Sequence, residues 1–437
     1  MRDVHLNGSP LNAHIENVLL TVIIQLIVII AASRLAGALF RKIGQPQVCG
    51  EIAAGLILGP SLLGSMFPGV FNTIFNPSVG SIFSIMSQLG LVLLMFLIGL
   101  EFDFGHLDDN RNTALSISAA GIVVPFALGF ALGYYMHGEM GLQGSPLNFA
   151  LFIATAMSIT AIPILGRIMI ELNINRTRLG SLTISAAAVD DATGWILLAL
   201  VSAIARSSFD PMKLALMIGE VLLFGLVMIF GIRPLVIKWS RKVLAADGNL
   251  SLDSLAVILI LILLSAICTN LIGIFSIFGA FFLGAILYDQ TELVAAIRRR
   301  LSDFVTVFFL PIFFTYTGLR TDIGTMSGSG MWFFCGLILL AAIVGKFGGC
   351  TLAARANGVP WREASIIGVM MNTRALMELI VINIGYDLGV IPKSVFFMLV
   401  FMAVVTTYMT APILRRLVPK SEIEKEYDAS DFARNTA

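Results

Sequence analysis

Apolar stretches about as long as a bilayer is thick recur from residue 17 to residue 414, with only short polar connections between them. A membrane-spanning helix needs about 20 mainly apolar residues. That window predicts thirteen segments, H1 to H13, over 17–33, 47–63, 81–100, 113–136, 148–170, 179–205, 213–237, 251–272, 275–289, 304–319, 330–354, 364–386 and 394–414. H2, H9 and H10 are short, which predicts partial spans or tight loops. The composition agrees, with 57% hydrophobic and 13% charged residues. Soluble domains carry about 25% charged residues. Half that charge leaves too little polar surface to clothe water-facing domains. The fold class read from this pattern is an all-α polytopic membrane protein.

H1 is read as a retained span. Secretory signal h-regions run about 7–15 residues, and the apolar run here is longer. Orientation follows from the basic residues, which concentrate on the cytoplasmic side. With the N-terminus outside and the C-terminus cytoplasmic, 21 of the 28 Lys and Arg fall in cytoplasmic segments. Five lie outside, namely Arg2, Arg206, Lys213, Arg320 and Lys393, and two, Lys346 and Arg374, lie within spans. The net charge of +1 gives no reason to expect a nucleic-acid partner. Cys49, Cys268, Cys335 and Cys350 form no CxxC pair and read as small core residues. The polar, mixed-charge tail over 417–437 is expected to be disordered, and it is too short for a nucleotide-binding regulatory domain.

Within the chain, motifs repeat. H2 carries Gly50-Glu-Ile-Ala-Ala-Gly55 and H9 carries Gly279-Ala-Phe-Phe-Leu-Gly284. H3 ends in Gly99-Leu100-Glu-Phe-Asp103 and H10 in Gly318-Leu319-Arg-Thr-Asp322. A similar offset carries H5 onto H12 and H6 onto H13. The pattern predicts two six-helix repeats, 1–211 and 250–416, joined by a linker helix H7 within 212–249. An odd linker inverts the second repeat, a build typical of secondary transporters with a midplane site. The pair Gly129 and Gly133 in H4 reads as ordinary close packing.

Five ionisable residues sit where an apolar span should have none. Asp190 and Asp191 lie about twelve residues into H6, roughly 18 Å deep at 1.5 Å per residue. Each charge there costs at least about 2.5–3.5 kcal/mol on insertion scales, so it needs a functional or pairing reason. Lys346 lies inside H11, and Arg374 and Glu378 lie four residues apart on one face of H12. A dehydrated monovalent cation needs hard oxygen ligands, and a carboxylate can also carry a proton when the cation is absent. Asp190 and Asp191 point about 100° apart on a helix, so one can face a cavity while the other meets an internal partner such as Lys346. Arg374 and Glu378 are read as a separate structural or gating pair. Pro163 interrupts H5 after Ser158 and Thr160, and Asn372-Thr373 stand at the repeat-equivalent place in H12. Both segments are candidate broken helices whose free backbone groups line the site.

The rival classes fit less well. A channel would need a continuous pore. An intramembrane aspartyl protease needs two carboxylates facing each other, whereas adjacent aspartates on one helix diverge. There is no Walker A or dinucleotide fingerprint, so no nucleotide partner, no ATP-driven pumping and no cofactor are expected.

Taken together, these residues resemble the bacterial cation/proton antiporter superfamily. The match is to its second monovalent cation:proton antiporter family, which has plant cation/proton exchanger relatives. Gln45-Pro46 through Gly50-Glu51, with Gly59-Pro60-Ser61-Leu62-Leu63-Gly64, looks like that family's first signature. Phe96-Leu-Ile-Gly99-Leu100-Glu101 looks like the second. Ser158-Ile-Thr160-Ala161 through Leu165-Gly166-Arg167, and Asn372-Thr373-Arg374 through Glu378-Leu379-Ile380, look like the two broken-helix motifs. The resemblance implies a 6+1+6 inverted repeat with two crossed broken helices, a mobile core domain and a dimerisation domain, hence a homodimer. It implies that Asp191 binds the transported Na⁺ or K⁺ and that Asp190 is salt-bridged to Lys346. It implies exchange of a monovalent cation, sodium before potassium, for protons. The Asp-Asp pair resembles the electrogenic members, with Asp191 and Asp190 as the ion-binding and proton-carrying residues, and two protons move per cation if Asp190 or Lys346 exchanges one alongside Asp191. The membrane implied is a bacterial plasma membrane, with the thylakoid membrane as the alternative.

Overall fold

The structure, a computed structural model, describes residues 10–75, 80–100, 111–160, 162–171, 174, 177–207, 211–247, 250–374 and 376–417. The tail beyond 417 lies outside the described residues.

The described residues form helices throughout, in the order α1 (Pro10–Lys42), α2 (Gln47–Leu58), α3 (Pro68–Ile74), α4 (Gly80–Leu100), α5 (Arg111–Glu139), α6 (Pro146–Ser158) and α7 (Ile162–Glu171). There follow α8 (Arg178–Ser207), α9 (Pro211–Leu226), α10 (Arg233–Asp247), α11 (Leu252–Ile272), α12 (Ser276–Ala285), α13 (Thr291–Phe304) and α14 (Leu310–Arg320). The last five are α15 (Ser329–Ile343), α16 (Gly349–Ala356), α17 (Trp361–Met371), α18 (Leu376–Asp387) and α19 (Lys393–Leu417). Wide π turns join α9 to α10, α13 to α14 and α15 to α16 without breaking the run. With no water in a bilayer to satisfy backbone amides, a helix that keeps its own hydrogen bonds is what an apolar chain can form there.

Among the described residues, ten helical runs are long and apolar enough to cross a membrane, and the pair α17 and α18, bent by 42°, makes an eleventh. The apolar helices α6 and α12 are shorter. The reading of 304–319 as a short separate segment after a cytoplasmic loop is corrected. Arg298, Arg299 and Arg300 belong to α13, which continues through its π turn into α14, so the helical run spans Thr291–Thr325. The arginines ended the apolar window but not the helix. Leu293, Ala296, Ile297 and Leu301 line one buried face, and the three charges take the other. One cysteine also departs from the packed-core reading. Cys49, Cys335 and Cys350 are buried, but Cys268 on α11 is exposed.

The helices pack in two sets. One contains α5, α6, α8, α15, α16, α17, α18 and α19; the other contains α1, α2, α4, α11, α12 and α14. The sets meet, among other places, where α19 touches α2. Glycines set the tightest crossings. A Cβ on Gly55 would run into the carbonyl of Phe314, and one on Gly318 into the carbonyl of Gly55. A Cβ on Gly99 would meet the carbonyl of Phe281, and one on Gly284 the carbonyl of Phe96. Thus α2 lies against α14 as α4 lies against α12, and motif-equivalent glycines exchange partners. On α5, Cβ atoms at Gly129 and Gly133 would each stand 2.9 Å from an alanine Cα of α6, the close packing anticipated for that pair. Gly318→Val is expected to destabilise the bundle by at least about 1–3 kcal/mol, because the backbone it meets cannot yield as a side chain would. Thermal unfolding in detergent checks this, and a variant as stable as the parent would refute it.

Candidate functional site

Two helices stop in mid-span at the same place. α6 ends at Ser158, after which Ile159 is extended, and α7 begins at Ile162 with Pro163 in its first turn. Proline has no amide hydrogen and disfavours helix in the residue before it, so the interruption falls where the sequence places it. α17 ends at Met371, and Asn372, Thr373 and Arg374 cross the gap to α18. The two gaps touch. Thr160 Oγ1 lies 3.1 Å from the carbonyl oxygen of Met371 and 2.6 Å from Asp190 Oδ2. Its single hydroxyl proton serves one acceptor at a time.

Asp190 stands on α8 opposite this crossing. Its Oδ2 accepts the backbone amide of Thr160 at 3.1 Å and the ammonium of Lys346 at 2.6 Å. Lys346 reaches in from the π turn between α15 and α16. Its other two donors go to the carbonyl of Gly121, at 2.8 Å, and to that of Ser158. Asp190 and Lys346 are both fully buried. A buried ion pair stands only when its remaining hydrogen-bonding capacity is met, and here the ammonium has all three donors placed. Gly121 makes the room, since a Cβ there would fall 2.6 Å from Cys350 Sγ.

Asp191, the next residue, is 1% exposed. Around the gaps are the oxygens proposed from the sequence as lining. Ser158 Oγ donates to the carbonyl of Ala154 at 2.6 Å, and Thr373 Oγ1 to Thr410 Oγ1 at 3.3 Å. Asn372 is 2% exposed, and its Oδ1 accepts no hydrogen bond from a described residue. The structure therefore gathers Asp190, Lys346, Ser158, Thr160, Asn372 and Thr373 around one crossing.

Arg374 and Glu378 form the i, i+4 ion pair read in the sequence, while the hydrogen bonds of the arginine go elsewhere. Their charged atoms are 3.8 Å apart, too far for a hydrogen bond. The guanidinium donates instead to the carbonyls of Ala156 at 3.1 Å, Met157 at 2.6 Å and Ala342 at 3.4 Å. The last carbonyls of a helix have no partner within it and carry the negative end of its dipole. Arg374 takes two of these at the end of α6, and Lys346 takes the third, at Ser158. The backbone of Arg374 is held from α19, where Thr407 Oγ1 accepts its amide at 3.2 Å and donates to its carbonyl at 2.6 Å. Each gap thus has a free amide captured by the long helix that follows, Thr160 by Asp190 and Arg374 by Thr407.

The profile of the family described as "Sodium/hydrogen exchanger, transmembrane" matches residues 27–418. The chain belongs to the sodium/hydrogen exchanger family. Over 405 residues the exchanger is 39% identical to the Na(+)/H(+) antiporter NhaS4 of Synechocystis, covering 92% of this chain and 98% of that one. It is 30% identical over 426 residues to the K(+)/H(+) antiporter 1 of Saccharomyces cerevisiae, covering 94% of this chain and 48% of that longer relative. In fold it is similar to the sodium proton antiporter MjNhaP1 of Methanocaldococcus jannaschii, with a TM-score of 0.64 at 14% identity, covering 91% of this chain and 96% of that one.

Two features of the exchanger were not found from its sequence. Arg320, counted there as an outside residue, ends α14 and bonds α18. It pairs with Asp387 at 2.7 Å, donates to Asn383 Oδ1 at 3.0 Å, and stacks 4.1 Å from the ring centre of Tyr316 on its own helix. Asn383 Nδ2 in turn donates to Thr317 Oγ1 at 2.9 Å. This polar clasp joins the two helix sets, and its only sequence signal was the i, i+4 spacing of Tyr316 and Arg320. The second feature is a cavity of about 260 Å³ between the sets. It is lined by Leu94 and Leu97 of α4, Ile164 of α7, Ser302 and Thr306, and Leu376 of α18. It therefore reaches the half-helices that follow both gaps.

Proposed function

We propose that this exchanger trades a monovalent cation, sodium first, for protons by alternating access at Asp191, and that the trade is electrogenic. The observation that carries the reading is a buried carboxylate, Asp191, next on its helix to an aspartate that meets a lysine at the crossing of two interrupted helices. A dehydrated Na⁺ needs a full negative charge and several neutral oxygens. Asp191 supplies the charge, and Ser158, Thr160, Asn372 and Thr373 supply oxygens from the gaps. A proton takes the same carboxylate when the cation leaves, so the two compete for one site. The similarity to the Synechocystis Na(+)/H(+) antiporter supports sodium, and that to the yeast K(+)/H(+) antiporter supports potassium as the second reading.

The architecture proposed with this function has thirteen spans, with α6–α7 and α12 joining the longer runs. The reciprocal packing of Gly55 on Gly318 and of Gly99 on Gly284 supports an inverted 6+1+6 repeat, because a two-fold relation requires partners to exchange in that way. The set holding Asp190 and Asp191 is the moving core, the other set is the scaffold, and the cavity between them is an access path. Homodimerisation through the scaffold, a bacterial plasma membrane (or a thylakoid membrane) and a cytoplasmic C-terminus complete the proposal.

The test is reconstitution in liposomes with an internal pH dye and addition of Na⁺, K⁺ and Li⁺ in turn. Cation-driven proton efflux, strongest with Na⁺, is expected. Imposing a membrane potential at zero pH gradient should drive transport in one direction. Insensitivity to that potential would sink the electrogenic part, and proton-independent ion flux would favour a channel.

A further inference from the structure

We infer that Glu378 is the second proton-carrying residue of the exchange, the group that turns a one-for-one trade into two protons per cation. The inference rests on the antiport reading above. A second proton requires a second titrating group, and among the described residues four buried acids and bases other than Asp191 stand near the crossing, besides the Cys350 thiol, which donates to the carbonyl of Ile117 at 3.7 Å. Three are already committed. Asp190 Oδ2 accepts from the ammonium of Lys346, from the Thr160 amide and from the Thr160 hydroxyl. Lys346 has all three of its donors placed. Arg374 is spent on the carbonyls of α6 and α15, and a guanidinium does not deprotonate in proteins.

Glu378 is the exception. It is 1% exposed, and neither carboxylate oxygen accepts a hydrogen bond from a described residue. Its nearest cation, Arg374, stands 3.8 Å away with its fork turned to the end of α6. The charged groups that bear on it are Arg374 and Lys346. Of the helices packed on α18, α6 carries no ionisable side chain, α8 brings Asp190 and Asp191, and α14 brings Arg320, which is paired with Asp387. On α19, Lys393, Tyr408, Arg415 and Arg416 are exposed. A buried carboxylate left without hydrogen bonds costs far more than the neutral carboxylic acid in the same place. On this inference Glu378 holds a proton in this conformation.

Charge accounting links this proton to the cation. With the cation on Asp191 and Glu378 ionised, the group sums to zero: Asp190, Asp191 and Glu378 are negative, and Lys346, Arg374 and the cation are positive. With Asp191 and Glu378 both protonated and no cation, the sum is one positive charge. On this accounting, arrival of the cation at Asp191 is coupled to loss of the Glu378 proton along with that of Asp191. Two protons leave as one cation enters, and the loaded states differ by one charge.

The test is charge per cation in liposomes holding the full chain, read from the voltage at which exchange reverses under fixed cation and pH gradients. The parent should move one net charge per cation. Glu378→Gln, which keeps the shape of the neutral acid, should still exchange cation for proton but carry no current. Glu378→Asp should restore the current. A merely structural Glu378 would change rate or stability and leave the charge per cation at one, and that result overturns the inference. So does a parent that is itself electroneutral. A parent with no proton-coupled cation movement defeats the antiport reading instead. If Glu378→Gln is inactive, infrared difference spectra decide. Adding Na⁺ to the parent should remove two carboxylic C=O components, one of which is missing in Glu378→Gln, and an identical loss in both overturns the inference.

Discussion

Asp191→Asn is expected to abolish cation-driven proton exchange while leaving the bundle folded. The amide keeps the size and an oxygen of the carboxylate but loses its charge. At an effective dielectric of about 20, removing one unit charge about 4 Å from a monovalent cation forfeits roughly 4 kcal/mol. That is about a thousand-fold in affinity. Asparagine also cannot take up the proton that must return, so both halves of the cycle fail together. Folding should survive, because Asp190 stays matched by Lys346 and the local charge loses only one member. The measurement is the pH-dye signal in proteoliposomes, with Na⁺-dependent thermal stabilisation in detergent as the binding readout. The parent should be stabilised by Na⁺ and the variant should not. Full exchange in the variant would reject Asp191 as the ligand.

The residues at the crossing were legible in the sequence because each broke a rule of membrane helices. Two adjacent aspartates and a lysine in apolar runs are expensive unless they are used. A proline after Ser158-Ile159-Thr160 announces a gap, and the gap is there. The glycine repeats also carried real packing information, since Gly55, Gly99, Gly284 and Gly318 are the points where backbones cross. What stayed hidden were relations whose partner is main chain or lies far along the chain. Arg374 reads as half of an i, i+4 pair with Glu378, and that ion pair is there at 3.8 Å. Its hydrogen-bond partners are carbonyls of α6, more than two hundred residues earlier, and a carbonyl has no sequence signature. Arg320 looked like a loop residue because a hydropathy window ends at a charge. For the same reason α13 and its three arginines were read as loop, although the helix runs straight through them.

Lys346→Met is expected to be the most destabilising single change at the site. The side chain is fully buried, and its ammonium ties together α8, α5 and the end of α6 through Asp190, Gly121 and Ser158. Removing one partner of a buried ion pair typically costs about 3–5 kcal/mol, because the other charge is left uncompensated. Here two carbonyls are orphaned as well, though the partial capping of α6 by Arg374 limits that loss. Methionine fills much of the same volume, so little of the effect comes from a cavity. The companion change separates charge from packing. Asp190→Asn combined with Lys346→Met removes both charges together and keeps an oxygen for the Thr160 amide, so the double variant should recover a substantial part of the lost stability. Thermal unfolding of the parent, both singles and the double in one detergent gives the cycle. A double variant no more stable than Lys346→Met would mean that the lysine acts through packing and carbonyl capping alone. The pair itself would then contribute nothing to holding the crossing in place. If instead the double variant regains stability but still exchanges cations poorly, the Asp190–Lys346 charge pair is required for the ion cycle over and above its part in the fold.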